Sequence, residues 1–330
     1  MVPNHTLRHL IDQWLQMGTQ FDPVLCTIDC LASLKKNLES DEATLENKCQ
    51  TLQKIQALTE ESQSGNSCLL QLGFLPLLLE LLFGKTESKL SQECVKFAEQ
   101  ALSWVLRLMS PGEYEYLNML NEESKLESFQ VLFDQGTGKI KRSVCQVIEA
   151  ISSSMETREL CAKLGKNRKL LKGLILLVHP TYEASDSGIK AISALCCLES
   201  NRQNLVQEGV ISRLLTYIFD SERHERNLAP KALSTIELLL ELESAKAALI
   251  NNPNGIKALI KMVFRFSEHE GSESAVQSLT IICTDSLQAR DEAISAGVLT
   301  QLLLLLQSQC SARTKTKARM LLKLLRSRWD

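Results

Sequence analysis

The stretch "EGVISRLLTYI" at residues 208–218 decides the fold, because its pattern returns at nearly fixed intervals along the chain. Gly209 is followed five and six residues later by an aliphatic pair, Leu214-Leu215. The same arrangement occurs in "LGFLPLLLELL" (72–82), "LGKNRKLLKGL" (164–174) and "AGVLTQLLLLL" (296–306), and "PNGIKALIKMV" (253–263) fits if Asn254 takes the Gly position. The intervals are 92, 44, 45 and 43 residues, and 92 is about two periods, so the chain carries a structural repeat.

The Gly position of this pattern, here called the corner, predicts a sharp turn just before a helix. Glycine adopts a left-handed backbone without steric cost, and asparagine tolerates it better than other residues. We therefore expect a left-handed turn at each corner, including Asn254. A basic residue also recurs, since Arg158, Arg202 and Arg290 each lie seven residues before a corner.

A second pattern runs out of phase with the corners and defines one apolar helix face. Its positions are separated by one, four and seven residues from a small first residue, as an amphipathic helix requires. The members are Ala191, Ile192, Leu195 and Leu198; Ala232, Leu233, Ile236 and Leu239; and Ala275, Val276, Leu279 and Ile282. Val144, Cys145, Ile148 and Ile151 extend the pattern toward the N-terminus, and Ala318, Leu322 and Leu325 continue it with Arg319 in the second position.

Each unit thus contains a short helix, a corner, a Leu-rich helix, a polar loop and a longer helix that starts with a small residue. No such unit buries its apolar face alone, so neighbouring units must stack. The pattern resembles armadillo repeats and implies an all-α, right-handed α-solenoid over residues 45–330 with about six repeats. The stretch 115–155 has no corner glycine, which predicts a distorted repeat or an insertion there.

The N-terminal stretch "VPNHTLRHLIDQWL" (2–15) resembles the last loop and helix of a U-box, as found in plant proteins that carry a U-box before armadillo repeats. Pro3 matches an E2-contacting proline of that family, and Leu7, Leu10, Ile11 and Trp14 match the core of its last helix. We assign residues 1–16 to this remnant and 17–44 to a linker or helix. The alternative is a generic amphipathic helix that starts with Pro-Asn.

The resemblance implies an E3 ubiquitin ligase in which the U-box docks a ubiquitin-charged E2 and the armadillo solenoid holds the protein substrate, with a role in plant defence or stress signalling. Such a ligase needs no nucleophile of its own, and the sequence offers no catalytic constellation. Because only the end of the U-box pattern is visible, we expect the rest to precede Met1, and we leave the enzymatic status open. The alternative is a non-catalytic armadillo adaptor or competitor that does not recruit E2.

Armadillo proteins usually bind extended peptides along their third helices, so the residues facing away from the predicted core are candidate substrate contacts. They lie two, five and nine residues after the small first residue of the apolar pattern. These candidates are Gln146 and Glu149; Ser193 and Ser200; Ser234, Glu237 and Glu241; and Gln277, Thr280 and Thr284.

The C-terminal stretch is strongly basic, with Lys317, Arg319 and Lys323 at its centre. One interpretation is a polar capping repeat, whose outer face must be soluble. The other is a docking patch for an acidic partner or an anionic lipid.

Composition excludes several other classes of protein. The net charge of −2 over 330 residues gives no indication of nucleic-acid binding. Eleven cysteines without framework spacing favour a reducing compartment over a disulfide scaffold, and no metal-ligand spacing or cofactor motif stands out. The apolar runs are too short for a transmembrane segment, and no signal peptide is visible. We therefore expect a cytoplasmic or nuclear protein without cofactor or metal.

Overall fold

The computed structural model describes residues 23–60, 65–84, 89–179, 182–220, 228–265 and 271–326. Within these ranges every regular element is a helix. The U-box-like stretch 1–16, with Pro3 and Trp14, lies outside the described residues. The described chain divides into two compact units, one formed by residues up to 82 together with 91–109, and the other by 83–90 together with residues from 110 onward.

The first unit is built from helices α1 to α5, of which α4 ends one residue beyond it. These are α1 (Pro23–Glu39), α2 (Leu45–Glu60), α3 (Gly65–Gln71), α4 (Phe74–Phe83) and α5 (Gln92–Leu108). Helix α2 packs against α1 and α5, and α3 packs against both α2 and α5. Leu52 and Ile55 of α2 and Leu102 and Val105 of α5 are buried in this unit.

The second unit contains a 3-10 helix and fourteen α-helices in its described residues. These are η1 (Tyr114–Asn121), α6 (Glu123–Gln135), α7 (Gly138–Ser153), α8 (Arg158–Leu164), α9 (Arg168–Leu177), α10 (Ser185–Cys196), α11 (Glu199–Gln207), α12 (Val210–Asp220), α13 (Ala229–Leu239), α14 (Glu243–Ile250), α15 (Gly255–Val263), α16 (Ser272–Asp285), α17 (Leu287–Ser295), α18 (Val298–Gln307) and α19 (Ala312–Arg326). Side-chain caps start several of them: Thr137 accepts from the amide of Ile140, and Ser286 accepts from that of Ala289.

These helices form successive groups of three, and equivalent helices of adjacent groups pack on one another. The third helices α7, α10, α13, α16 and α19 form one row, and the second helices α6, α9, α12, α15 and α18 form another. The predicted apolar face is buried between the rows, with Ala191, Leu233 and Leu279 each fully buried. This stacking, together with the structural matches given below, confirms the predicted all-α armadillo fold.

The stretch without a corner glycine nevertheless forms a three-helix group. Its first helix is the 3-10 helix η1, which ends at Asn121, and its second helix α6 begins at Glu123. Glu122 alone makes the turn, with an extended backbone at φ −70° and ψ 131°. This group therefore has a 3-10 first helix and an extended turn residue where the following groups have an α-helix and a corner.

The corners use glycine for two different reasons. Gly73, Gly209 and Gly297 have φ of 72°, 87° and 87°, the left-handed turn that we predicted. Gly165 instead has φ −67°, and Asn254 has φ −109°, so the left-handed prediction is wrong at both positions. At Gly165 a β-carbon would lie 2.0 Å from Oδ1 of Asn201, and the next group therefore excludes any side chain there.

The recurring arginine has a structural role in two of its three occurrences. Nε of Arg202 donates to the carbonyl of Cys196 at 3.1 Å, and Nε of Arg290 donates to the carbonyl of Cys283. Both carbonyls lie at the end of a third helix, where the chain offers them no further helical partner. The arginine of each following first helix therefore caps the third helix before it.

Candidate protein-binding surface

The third helices α7, α10, α13 and α16 share one open side, here called the third-helix surface. Helices α10, α13 and α16 each pack against the third helices before and after them, and α7 packs against α10. Each of the four also packs against the second helix of its own group, so these sides are covered. The remaining side carries polar or small side chains. It comprises Gln146 and Glu149 of α7; Ser187, Lys190, Ala194 and Cys197 at α10; Lys231, Ser234 and Glu237 of α13; and Gln277 and Thr280 of α16.

Most of the predicted substrate contacts lie on or beside this surface. Gln146, Glu241 and Thr284 are exposed. The others on these helices are partly exposed, namely Glu149, Ser234, Glu237, Gln277 and Thr280. Their placement makes them available for contact, and their role in binding stays a prediction.

Two of the predicted contacts are placed elsewhere. Ser193 is only 3% exposed, so its side chain is not available to a partner. The open side of α10 instead carries Lys190 and Ala194, because the residue of α10 that corresponds to Ala232 is Gly188 rather than Ala191. Ser200 belongs to the first helix α11 and lines a hollow of about 750 Å³ together with Arg158, Glu159 and Gln203.

Hydroxyl groups on the surface are turned toward their own helices. The Ser234 hydroxyl donates to the carbonyl of Lys231 at 2.9 Å, and the Thr280 hydroxyl donates to that of Val276 at 2.7 Å. Thr284 donates to the carbonyl of Thr280 at 2.7 Å. Because each proton is already used, these oxygens are left to accept hydrogen bonds from a partner.

Charge is unevenly distributed over the surface. Burial raises the pKa of Glu149, and the positive charges of Lys190 and Lys231 lower it in part. Toward the ends of the third helices the acidic groups have local partners: Glu241 pairs with Arg202, and Asp285 lies 2.6 Å from Nζ of Lys246. Lys190 and Lys231 therefore share the surface with the carboxylates of Glu149 and Glu237, and it carries charges of both signs.

A buried amide network fixes α10 relative to its neighbours. Asn201, which is 1% exposed, donates from Nδ2 to the carbonyl of Leu195 at 3.1 Å and to that of Cys161 at 3.2 Å. Asn204 of the same helix donates to the carbonyl of Gly165 at 2.8 Å. Two asparagines of α11 therefore hold this helix to α8 and α10.

The buried thiols are poor nucleophiles. Burial raises the pKa of Cys196 to about 12 and that of Cys283 to about 11, and it also raises the pKa of Cys145 and Cys161. The reactive form of cysteine is the thiolate, which these groups do not reach near neutral pH.

The predicted basic patch is only partly a single surface. Arg319 and Lys323 are exposed on α19, and neither forms an ion pair with a described residue. Lys317 instead turns back to α16, where its Nζ lies 2.8 Å from Oε1 of Glu273, an oxygen that it shares with Arg313. Lys317 therefore joins two repeats, and the choice between cap and docking patch stays open.

The stacked groups of three helices with an open polar side define an armadillo-type repeat protein. A computationally designed armadillo repeat protein for modular peptide recognition matches with a TM-score of 0.58 and 20% identity, over 76% of this chain and 99% of its own. A second designed armadillo repeat protein, YIII(Dq.V1)4CPAF in complex with the peptide (KR)4, matches with a TM-score of 0.55 and 20% identity over the same shares.

Comparison with known sequences shows which family of armadillo-repeat proteins this chain belongs to. The family model of the plant U-box protein ARM repeat region matches residues 30–330. U-box domain-containing protein 26 of Arabidopsis thaliana is 28% identical over 348 residues, covering 100% of this chain and 80% of the relative. E3 ubiquitin-protein ligase PUB23 of the same plant is 23% identical with the same coverage. The chain therefore belongs to the plant U-box proteins with an armadillo-repeat region, as the sequence resemblance predicted.

Among the helices of the described ranges, none is both long enough and apolar enough to cross a membrane.

Proposed function

We propose that the third-helix surface holds a protein substrate for ubiquitin transfer, and that a U-box recruits the ubiquitin-charged E2 that delivers the ubiquitin. The observation that carries the proposal is the continuous row of third helices with an open polar side. Membership in the plant U-box family supports the ligase part, and the designed armadillo protein bound to a peptide supports the use of this fold for extended segments.

Catalysis in this proposal is a matter of proximity. A substrate held on the armadillo repeats brings its lysine to the E2 thioester at a high effective concentration, which lowers the entropic part of the barrier. The amine of the substrate lysine attacks the thioester carbonyl, an amide bond to ubiquitin forms, and the E2 cysteine leaves as a thiol. None of these steps requires a nucleophile from the armadillo repeats.

The test compares the chain of residues 1–330 with the same chain fused behind a complete U-box. With purified E1, ubiquitin and a broad set of E2 enzymes, we expect the fusion to form ubiquitin chains and the unfused chain to form few. Equal inactivity of both proteins with every E2 would contradict the ligase proposal. Vigorous chain formation by residues 1–330 alone would show that they recruit E2 themselves.

A separate experiment tests whether the third-helix surface binds the substrate. In plant cells, the fusion should raise ubiquitin-remnant signals on a defined set of proteins, as measured by quantitative mass spectrometry. A fusion with Gln146→Arg, Ser234→Arg and Gln277→Arg should lose most of that set, because three bulky cations obstruct the surface. The matched control is Thr300→Arg, an exposed position on the second helix α18. An unchanged set in the triple variant would place the substrate elsewhere.

The adaptor alternative predicts a different result. A non-catalytic adaptor would bind the same proteins through the third-helix surface, but its overexpression would lower their ubiquitylation by competing with an active ligase. The same mass-spectrometric comparison, made with residues 1–330 unfused, distinguishes the two functions by the sign of the change.

A further inference from the structure

The last described group of helices ends on an exposed aliphatic side chain. In the three preceding groups, the second residue of the aliphatic pair after the corner is Leu171, Leu215 or Ile260, and each is at most 5% exposed. The helix that carries it packs against the second helix of the following group. The equivalent Leu303 of α18 is 50% exposed, because no further second helix follows α18 within the described residues. Its side chain is therefore open to a partner.

The next position of α18 is apolar where the preceding groups are polar. The residue directly after the pair is Lys172, Thr216 or Lys261 in those groups and Leu304 in the last one. Leu304 is 39% exposed, and its position is also accessible in the preceding groups. The absence of a following helix therefore does not account for this leucine, which adds apolar surface beside Leu303.

Helix α19 places cations at the same end of the stack. Lys317 turns toward α16, where its Nζ lies 2.8 Å from Oε1 of Glu273. At about 3.6 residues per turn, Arg319 and Arg326 lie roughly half a turn around the helix from Lys317, so they face away from α16. Lys323 lies one turn from each of these arginines. All three cations are exposed, and none forms an ion pair with a described residue.

The apolar and the basic side chains belong to one surface. Helices α18 and α19 pack against each other, and Leu303 and the two arginines all face away from the preceding group. Leu304 and Lys323 flank them. The C-terminal end surface, as we call it here, consists of Leu303, Leu304, Arg319, Lys323 and Arg326.

The charge around the C-terminal end surface has one sign. No Asp or Glu occurs between Glu292 and Asp330. Residues 286–330 carry eight Lys or Arg against three Asp or Glu, a net charge of +5, whereas the rest of the chain carries −7. Glu273 of α16 is already ion-paired with two cations of α19. The positive charge is therefore a property of this end of the molecule and is not cancelled locally.

Uniform positive charge beside exposed leucines matches an anionic membrane surface. Lipid phosphates supply negative charge over the whole contact area, and the outer acyl region accepts aliphatic side chains. A second copy docked through the same surface would bring like charges of +5 together. A nucleic acid would complement the charge but leave both leucines in water, and this surface offers no aromatic side chain on which a base could stack.

We propose that the C-terminal end surface binds the anionic face of a membrane. Arg319, Lys323 and Arg326 contact lipid phosphates, while Leu303 and Leu304 enter the outer part of the acyl layer. A few cations and two leucines give peripheral, reversible attachment. The proposal goes beyond the proposed function and does not depend on it, because it concerns where the protein acts rather than what it modifies.

The first test is vesicle flotation with the full chain of residues 1–330. The chain should float with vesicles in which part of the phosphatidylcholine is replaced by phosphatidylserine, and it should stay unbound with phosphatidylcholine alone. Raising the salt concentration should weaken the binding, because the attraction between the cations and the lipid charges is screened.

The contribution of the cations is measured with Arg319→Gln/Lys323→Gln/Arg326→Gln. This variant should bind phosphatidylserine vesicles about a hundredfold more weakly, since each cation at an anionic surface contributes roughly fivefold. The matched control removes the same charge from three exposed lysines of earlier groups and should bind like the unaltered chain. It is Lys166→Gln/Lys169→Gln/Lys257→Gln.

The contribution of the leucines is measured with Leu303→Gln/Leu304→Gln. Binding should weaken about tenfold, because aliphatic area no longer leaves water. Its dependence on salt should stay as in the unaltered chain. The matched control is Leu176→Gln/Phe219→Gln, which changes two exposed apolar residues of the second helices α9 and α12 and should leave binding unchanged. Circular dichroism and urea midpoints should match across all variants, since every altered side chain is exposed.

Several results would overturn the proposal. Equal binding to both kinds of vesicle, or equal losses in the arginine-lysine variant and its lysine control, would show that the C-terminal end surface is not a specific site. Unchanged binding of the leucine variant would point to a soluble polyanion in place of a membrane. Stronger binding to a fluorescein-labelled DNA duplex than to vesicles of equal phosphate content would assign the surface to nucleic acid. A dimer in sedimentation velocity that the leucine variant abolishes would assign it to a second copy. None of these results affects the ubiquitylation experiments, which decide the proposed function separately.

Discussion

The corners at Gly165 and Gly209 look alike in sequence but place different demands on the glycine. Gly209 has φ 87°, and a β-carbon there would meet nothing within 4 Å, so only its backbone conformation requires glycine. Gly165 has an ordinary φ of −67°, and a β-carbon there would lie 2.0 Å from the Asn201 side chain. The comparison teaches that one sequence motif can satisfy a local constraint in one repeat and a long-range constraint in another.

The largest effect should come from Gly165→Ala. The added methyl group would displace the buried Asn201 amide, which donates to two carbonyls on different helices. Overpacking combined with lost buried hydrogen bonds should lower the free energy of unfolding by about 3 kcal/mol. Urea denaturation followed by circular dichroism measures it. A loss under 1 kcal/mol would mean that the two corners are equivalent after all.

Asn201→Ala should cost about 2 kcal/mol, because it leaves buried carbonyls without their donor. The informative measurement is the double variant with Gly165→Ala. Removing the Asn201 amide also removes the clash. The double variant should therefore lose much less stability than the sum of the losses of the two single variants. Strict additivity in this double-mutant cycle would show that the contact between the two residues is not the reason for the glycine.

Gly209→Ala should cost about 1 kcal/mol, the penalty of a left-handed backbone for a residue with a β-carbon. Gly209→Asn should cost less than Gly209→Ala, because asparagine tolerates this conformation. At Gly165 the order should reverse, since the larger Asn side chain clashes more than Ala. The melting temperatures of the Ala and Asn variants at both positions show whether backbone conformation or lack of space for a side chain requires glycine at each corner.

The smallest effect should come from Asn254→Gly. Since Asn254 has φ −109°, glycine brings no conformational relief there, and the greater freedom of the unfolded chain should cost roughly 0.5 kcal/mol. A gain in stability would contradict this expectation and support the left-handed backbone that the sequence alignment predicted at Asn254.

Features that depend on neighbouring residues of the chain could be predicted from the sequence, whereas features that depend on contacts between repeats could not. The apolar spacing around Ala232 and Leu279 predicts buried helix faces correctly, because helical periodicity is a local property and both residues are fully buried. The turn at Glu122 could not be predicted, since no corner residue marks it. The same spacing rule places Ser193 on the open side of α10, where it is in fact buried.

On the candidate surface, periodicity identified Gln146, Ser234 and Gln277 but missed Lys190 and Lys231. Both lysines precede the small residue with which the predicted face begins, and the spacing rule looked only at later positions. Lys190 takes the place in α10 that Ser234 takes in α13, because the first-turn hydrogen bonds of Gly188 and Ala232 align the two helices at an interval of 44 residues. The spacing rule missed it because it began the face of α10 one turn too late, at Ala191.

The sequence by itself determined that this protein is a stack of helical repeats of the plant U-box family, because the period, the corners and the apolar faces are written into nearby residues. Only the tertiary structure decided which glycine is needed for its backbone and which for space. It also decided which arginines cap a preceding helix and which lysines share an open side. The constraint at Gly165 depends on Asn201 of the next repeat, which the stacking of one repeat on the next brings close. Each arginine cap joins residues only six or seven positions apart, but it depends on the angle at which the following first helix leaves the third helix.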